Sequence, residues 1–338
     1  MPGPLLETLR GTRLPVPPVW LMRQAGRYLA EYRALRAEKG GFLDLVYDSD
    51  AATEVTIQPI RRFGFDGAIL FSDILIVPHA MGQNLEFLAG EGPKLSPTLI
   101  DTVLSSLEAV PERLARIYET VAKVRAVLGP ETTLLGFAGS PWTVATYMVA
   151  GEGSRDQFDT RALAYRDPAA FAEIIDAITA VTIEYLSGQI EAGAEGVQLF
   201  DSWAGSLAPA EFERWVIGPN AAITAAIHDR HPAVPVIGFP KGAGEKLPAY
   251  ARETGVDALG IDETIDPLWA AKHLPGGLPV QGNLDPLLLL AGGAELDCRI
   301  DYILGAFAGR PHIFNLGHGI DRRTPVSHVE ALLRKLRG

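Results

Sequence analysis

The chain has 338 residues, 47% apolar and 21% charged, enough to bury a large core and ordinary for a folded globular protein. Its net charge of −11 excludes the broad basic footprint that nucleic acid or an anionic membrane surface attracts, so any polyanionic ligand must be gripped locally. A single cysteine, Cys298, excludes an intrachain disulfide and a multi-thiolate zinc or iron–sulfur centre within one chain, and it reads as an inert structural thiol.

The N-terminal stretch MPGPLLETLRG has no basic region followed by a long apolar run, so the expectation is a cytoplasmic enzyme without signal peptide or membrane anchor. Eight short apolar runs then follow, each bounded by Gly, Pro or Asp: VWLM, GAILFSD, TLLGF, GVQLFD, VPVIGF, DALGI, LPVQGN and HIFNL. They read as buried parallel strands, because strands covered on both faces are continuously apolar instead of alternating. Helical patterns separate most of them, including PAAFAEIIDAITAVTIEYLSGQIEAG after the third and PAEFERWVIGPNAAITAAIHD after the fourth. Residues 132–151 carry no charge over nearly a membrane-spanning length, but the glycines and Pro141 favour a buried strand followed by a mouth loop.

Eight alternations of strand and helix, with no GxGxxG after the first strand, predict a closed (β/α)8 TIM barrel over a doubly wound sheet. The chain from 1 to 338 is expected to be one such α/β domain. Its first two inter-strand segments, roughly 29–65 and 74–131, exceed a minimal crossover and predict extra N-terminal helices or loops.

The conspicuous polar residues fall just after these strands: Arg23 and Arg27, Ser72 and Asp73, Tyr147, Asp201 and Ser202, Asn283 and Asp285, and His318. In a barrel all strand C-termini open on one face, so residues nearly 300 apart in sequence share a pocket. Arg23 and Arg27, four apart in a helical or turn-like stretch, would present two planar forks that match carboxylates; a solvated patch with Arg33 and Arg36 is the competing explanation. Asp73 ends an apolar strand, where a charge needs either an ion-pair partner or ligand N–H groups. Ser202 and Tyr147 offer hydroxyls, and His318 sits in a GHG turn that allows close approach. A Ser202, His318 and Asp73 triad lacks a GxSxG elbow and leaves the arginines unexplained. The run GFPKGAGEK at 238–246 lacks Walker spacing and reads equally well as a turn into a helix.

Together PVWLMRQAGRY at 18–28, GFAGSPWTVATYM at 136–148, FSDIL at 71–75, QLFDSWAG at 198–205, VQGNLDP at 280–286 and FNLGHG at 314–319 resemble the uroporphyrinogen decarboxylases of haem biosynthesis, in that family's order and from about residue 10 to the end. The resemblance implies a cytoplasmic, commonly homodimeric lyase with no metal and no organic cofactor. Such an enzyme converts the four acetates of uroporphyrinogen III to methyls, giving coproporphyrinogen III and CO2. Carried over position by position, the substrate-binding residues are Arg23, Gln24, Ala25, Gly26, Arg27, Arg36, Asp73, Tyr147, Ser202 and His318, Ala25 through its backbone. The catalytic ones are Asp73, Arg23, Arg27, Tyr147 and His318. The partner is thus a small tetrapyrrole, with no nucleic acid and no membrane.

The chemistry is consistent with those residue types. Losing CO2 leaves a carbanion, and a pyrrole protonated at carbon is the electron sink; a carboxylate accepting the central pyrrole N–H groups stabilises that cation preferentially in the transition state. Two readings compete: a zinc-dependent methyltransferase of the same superfamily, which needs a His-x-Cys type site that Cys298 does not provide, and a porphyrin carrier that binds without turnover.

Overall fold

In the computed structural model, which describes residues 2–88 and 92–338, seven parallel strands form one curled sheet. In chain order the strands are β1 (Gly67–Ile69), β2 (Asn84–Leu88), β3 (Gly92–Ser96), β4 (Thr133–Gly139), β5 (Gly196–Asp201), β6 (Val236–Pro240), β7 (Ala258–Gly260), β8 (Val280–Gln281) and β9 (His312–Ile313). The sheet order is β1-β4-β5-β6-β7-β8-β9, so each strand of this sheet lies beside the sheet's next strand in the chain, while β2 and β3 pair only with each other.

The VWLM segment closes the ring. Val19 bridges Phe314 in parallel, Phe314 N donates to Pro18 O at 2.9 Å, and on the other side Asp66 N donates to Val19 O at 2.9 Å. Asp66 Oδ2 also accepts from Val19 N at 2.8 Å. This segment therefore stands between β9 and β1 as the eighth stave of a (β/α)8 barrel.

Local sequence explains the outer layer. The helix Pro168–Glu191 starts with Asp167 accepting from Ala170 N at 3.0 Å and Pro168 in its first turn, where the missing N–H costs nothing. Phe171, Ile174, Ile175, Ile178 and Tyr185 recur at three- and four-residue spacing and are buried, each contributing about 1.5–3 kcal/mol of apolar transfer. Among the described residues no helix is long and apolar enough to cross a membrane.

Two elements differ from what the sequence predicts. Residues after β4 form the helix Pro141–Ala150 instead of a mouth loop; Pro141 in the first turn and the left-handed Gly151 (φ 79°) bound it. The first insertion is helical (Ala30–Lys39, Phe42–Tyr47, Ser49–Phe63), as expected. The second, in contrast, holds an antiparallel hairpin of β2 and β3 as well as the helix Glu112–Val127. Leu95 of that hairpin donates its N–H to Gly151 O at 2.7 Å, and Phe87 lies 4.4 Å from Phe42, so the hairpin joins both insertions to the end of the Pro141 helix.

The barrel interior is not wholly apolar. Trp20 Nε1 donates to Gln281 Oε1 at 2.9 Å and Gln281 Nε2 to Gln198 Oε1 at 3.1 Å, all three side chains being buried. β5 and β8 are not neighbours in the sheet, so these bonds run across the lumen. Each link satisfies polar groups that would otherwise be buried without partners, which fixes the registry of three staves.

Candidate active site

Every stave delivers a polar residue to the C-terminal mouth: Arg23 after the Val19 segment, Asp73 after β1, Tyr147 after β4, Ser202 after β5, Lys241 after β6, Asp262 and Glu263 after β7, Asn283 after β8 and His318 after β9.

Two loops from opposite chain ends are stapled together there. Asn315 Oδ1 accepts from Met22 N at 2.9 Å and Ile320 N donates to Met22 O at 2.9 Å, which sets the GHG turn against Arg23. Arg23 itself adopts the left-handed backbone conformation, φ 62°, at a cost of about 1–2 kcal/mol for a residue with a Cβ. Its stem fills the space over Gly319, where a Cβ would come within 2.3 Å of Arg23 Cδ. Gly26 is needed for the same turn, since a Cβ there would lie 2.8 Å from Arg23 O.

The residues of the QAGR turn divide by role. Gln24 is fully buried: its Oε1 accepts from Leu21 N at 3.1 Å and its Nε2 donates to Gly67 O at 2.9 Å, while its carbonyl accepts from Tyr28 Oη. Its side chain is thus committed to the barrel wall. The backbone N–H groups of Ala25, Gly26 and Arg27 make no hydrogen bond among the described residues, and Arg23 and Arg27 have no carboxylate partner there. Arg33 donates to Arg27 O at 2.7 Å and Tyr28 O at 3.1 Å and so braces the turn from behind. Arg36 lies 5.7 Å over the Phe42 ring, and both it and Arg27 face the Tyr32 hydroxyl. The Arg23 charge bears on a different set, Asp73, Tyr147 and His318. The two arginines of the motif therefore serve two neighbouring parts of the mouth.

Asp73 ends the β1 segment with one oxygen accepting from Leu75 N at 2.9 Å and the other open to the mouth. Burial pushes its carboxyl up to about 6, against the Leu75 N–H and the Arg23 charge, which favour ionisation. Tyr147 is also pushed upward, first by burial and then by Asp73, so it stands protonated as an O–H donor. His318 is pushed down to about 3 by burial, reinforced by Arg23 and Lys241, and is a neutral imidazole near pH 7. Ser202 makes no hydrogen bond among the described residues, whereas Ser72 meets Tyr185 Oη at 3.3 Å, behind Asp73.

Asn283 and Asp285 do structural work. Asn283 Nδ2 donates to Asp262 O and Ile265 O at 2.8 and 2.7 Å, and Asp285 caps the helix Pro286–Ala291 through Leu287 N at 2.8 Å. Lys241, Asp262 and Glu263 are mouth residues that no motif in the sequence singles out; Lys241 Nζ is 3.9 Å from Glu263 Oε1 and its charge bears on His318. It stands in GFPKGAG, at the end of β6, so its position after a barrel strand was the available signal. Cys298 is exposed on the helix Ala294–Phe307, and among the described residues no three His, Cys, Asp or Glu side chains gather as a metal site.

Fold and mouth together define an α/β-barrel protein with a cationic, carboxylate-centred cleft. A methyltransferase from Methanosarcina mazei has the same fold, with TM-score 0.82 over 98% of this chain and 96% of that one at 17% identity. A B12-independent methionine synthase from Shewanella follows at TM-score 0.59 and 12% identity, covering 98% of each chain.

The chain belongs to the uroporphyrinogen decarboxylase (URO-D) family, whose model matches residues 3–338. It is 77% identical to the uroporphyrinogen decarboxylase of Novosphingobium aromaticivorans over 100% of this chain and 99% of that one. It is 72% identical to that of Rhizorhabdus wittichii over 99% and 97%, and 70% identical to that of Erythrobacter litoralis over 100% and 99%.

Proposed function

We propose that this chain is a carboxy-lyase that decarboxylates the four acetates of uroporphyrinogen III to give coproporphyrinogen III. The observation that carries the reading is full-length similarity at up to 77% identity to proteins of that name. The mouth chemistry agrees with it: a carboxylate with one open oxygen feels the Arg23 charge, and the turn that follows Arg23 carries Arg27 and unbonded backbone N–H groups.

Asp73 accepts the pyrrole N–H groups at the centre of the macrocycle. Those bonds favour its ionised form and oppose the effect of burial, so substrate binding converts it into a fixed negative charge beside the ring that becomes cationic. Because all four N–H groups point inward, the same contact survives each rotation of the ring between successive decarboxylations.

Arg27 and Arg36 take carboxylates at the rim, with Ala25 and Gly26 contributing backbone donors. Their value is orientation, since a guanidinium paired tightly with the departing carboxylate would stabilise the ground state more than the charge-dispersed transition state. Arg23 spans rim and centre. Tyr147 and Ser202 present hydroxyls, and neutral His318 presents a donor and an acceptor that neither adds to nor cancels the Asp73 charge. Gln24 supports the site by holding the arginine turn against the wall.

We further infer a cytoplasmic homodimer that needs neither metal nor organic cofactor. Sedimentation measures the first point, and activity after exhaustive chelation measures the second. The deciding assay is anaerobic incubation of purified protein with uroporphyrinogen III and chromatography of the oxidised products. Coproporphyrin supports the reading; tight binding without product refutes it in favour of a carrier.

A further inference from the structure

The helix that carries Tyr147 and the loop that carries Ser202 follow different strands and are joined by one buried hydroxyl. Thr143 is fully buried on the helix Pro141–Ala150, one turn before Tyr147. Its Oγ1 donates to Asp201 Oδ1 at 2.5 Å and accepts from Trp203 N at 3.1 Å. Asp201 and Trp203 flank Ser202, so these two bonds hold the chain on both sides of it. Trp142 Nε1 adds a third bond, to Trp203 O at 3.3 Å, and the Trp203 ring leans on Tyr147 with centroids 6.3 Å apart.

A threonine hydroxyl has one proton and two lone pairs, so it serves both partners only when the proton goes to Asp201. The acceptor is costly for a barrel wall. Asp201 is completely buried, its Oδ2 has no partner among the described residues, and burial pushes its carboxyl up to about 7 against the Thr143 and Trp203 bonds. A neutral side chain would close the same turn with less desolvation; a carboxylate adds a short, charge-assisted bond, roughly twice as strong as a neutral one. On the other side, Lys246 Nζ donates to Gly205 O and Leu207 O at 3.0 and 2.7 Å, so the far end of the Ser202 loop is pinned as well.

We propose that Thr143 is a positioning residue, with Asp201 as its acceptor, that sets the separation of the Tyr147 and Ser202 hydroxyls so that both engage one bound substrate. The proposal rests on the decarboxylase reading above. Thr143 touches no substrate atom itself; its effect is transmitted through the Pro141–Ala150 helix and the Ser202 loop. Misplacing a catalytic group by about 1 Å costs on the order of a hundredfold in rate, and that is the lever this bond controls.

The test is a double-mutant cycle on the full chain under anaerobic conditions with uroporphyrinogen. Thr143→Val keeps the shape and removes both hydrogen bonds. The expected result is a fall in kcat of about tenfold or more with KM changed by no more than about threefold, recovery of at least half the kcat in Thr143→Ser, and a cost below about twofold when Thr143→Val is added to Ser202→Ala. A Thr143→Val enzyme within about twofold of wild type overturns the proposal, as does an equal loss with and without Ser202→Ala. If circular dichroism shows Thr143→Val unfolded, Thr143→Ala carries the same cycle. A wild type that makes no coproporphyrinogen overturns the decarboxylase reading and this proposal with it, whereas an active wild type indifferent to Thr143→Val overturns the proposal alone.

Discussion

The two glycines of the GHG turn should respond to alanine in opposite ways, and Gly319→Ala tests how Arg23 is held. The Gly319 backbone is not left-handed, so alanine adds no conformational strain. Its new Cβ would meet Arg23 at 2.3 Å from Cδ, 2.7 Å from Cγ and 2.9 Å from Nε, all atoms of a flexible side chain with no salt bridge to break. The guanidinium swings away and the fold stays. Losing one charge-assisted hydrogen bond costs about 1.5–3 kcal/mol, or about 10- to 150-fold in affinity for a carboxylate-bearing ligand. Titration with coproporphyrinogen measures this, alongside KM and a melting curve. At Gly317 the added Cβ instead meets the Glu263 backbone N at 2.1 Å, so Gly317→Ala should lower Tm sharply. A Gly319→Ala protein with unchanged affinity, or one that melts as low as Gly317→Ala, refutes the reasoning.

Asp73→Asn should cut kcat by several orders of magnitude while KM changes little, and a near-normal kcat would remove Asp73 from the chemistry. Because the free-enzyme carboxyl is raised to about 6, kcat/KM should fall as pH drops through that value. The stability sign is the reverse: a raised carboxyl destabilises the fold above pH 6, and the penalty disappears below the unfolded value near 3.8. Asp73→Asn should therefore melt higher than wild type at pH 8 and equally at pH 3.5, and a lower Tm at pH 8 would contradict this. Arg27→Ala or Arg36→Ala should weaken coproporphyrinogen binding, with the deficit shrinking as salt rises; loss confined to Arg23 variants would assign the rim to solvent. Gln24→Leu leaves Leu21 N and Gly67 O buried without partners, about 1–3 kcal/mol each, so it should lower Tm by about 5 °C or more. An unchanged Tm would free Gln24 for a role at the substrate.

Much of the barrel was legible because its staves are short apolar runs punctuated by Gly, Pro and Asp, and burial on both faces removes the polar alternation. The Gln198 and Gln281 bonds across the lumen were not legible, since periodicity says that a residue is inside but not what it meets there. The residues after 139 read as a loop because Pro141 and the glycines suggest one and the helix Pro141–Ala150 carries no charge, its few hydroxyls at Thr143, Thr146 and Tyr147 being too weak a polar stripe to betray its period. The β2–β3 hairpin is stabilised by packing on Phe42 and Gly151, distant segments that no local window contains.

For the site, chain position alone brought Asp73, Tyr147, Ser202 and His318 to one face, because parallel strands must all end there. The assignment of Arg23 and Arg27 to different sets of neighbours was decided by tertiary structure: a left-handed turn at Arg23 and the stem space over Gly319 hold one side chain against the GHG turn, while the other shares Tyr32 with Arg36, which itself lies over Phe42. The amide of Gln24 likewise turned into the wall because Leu21 N and Gly67 O needed partners there. Sequence determines which groups are available and at which end of the barrel. Which of them remain unpaired, and so free for a ligand, is decided only by the partners that donors and acceptors take in the folded chain.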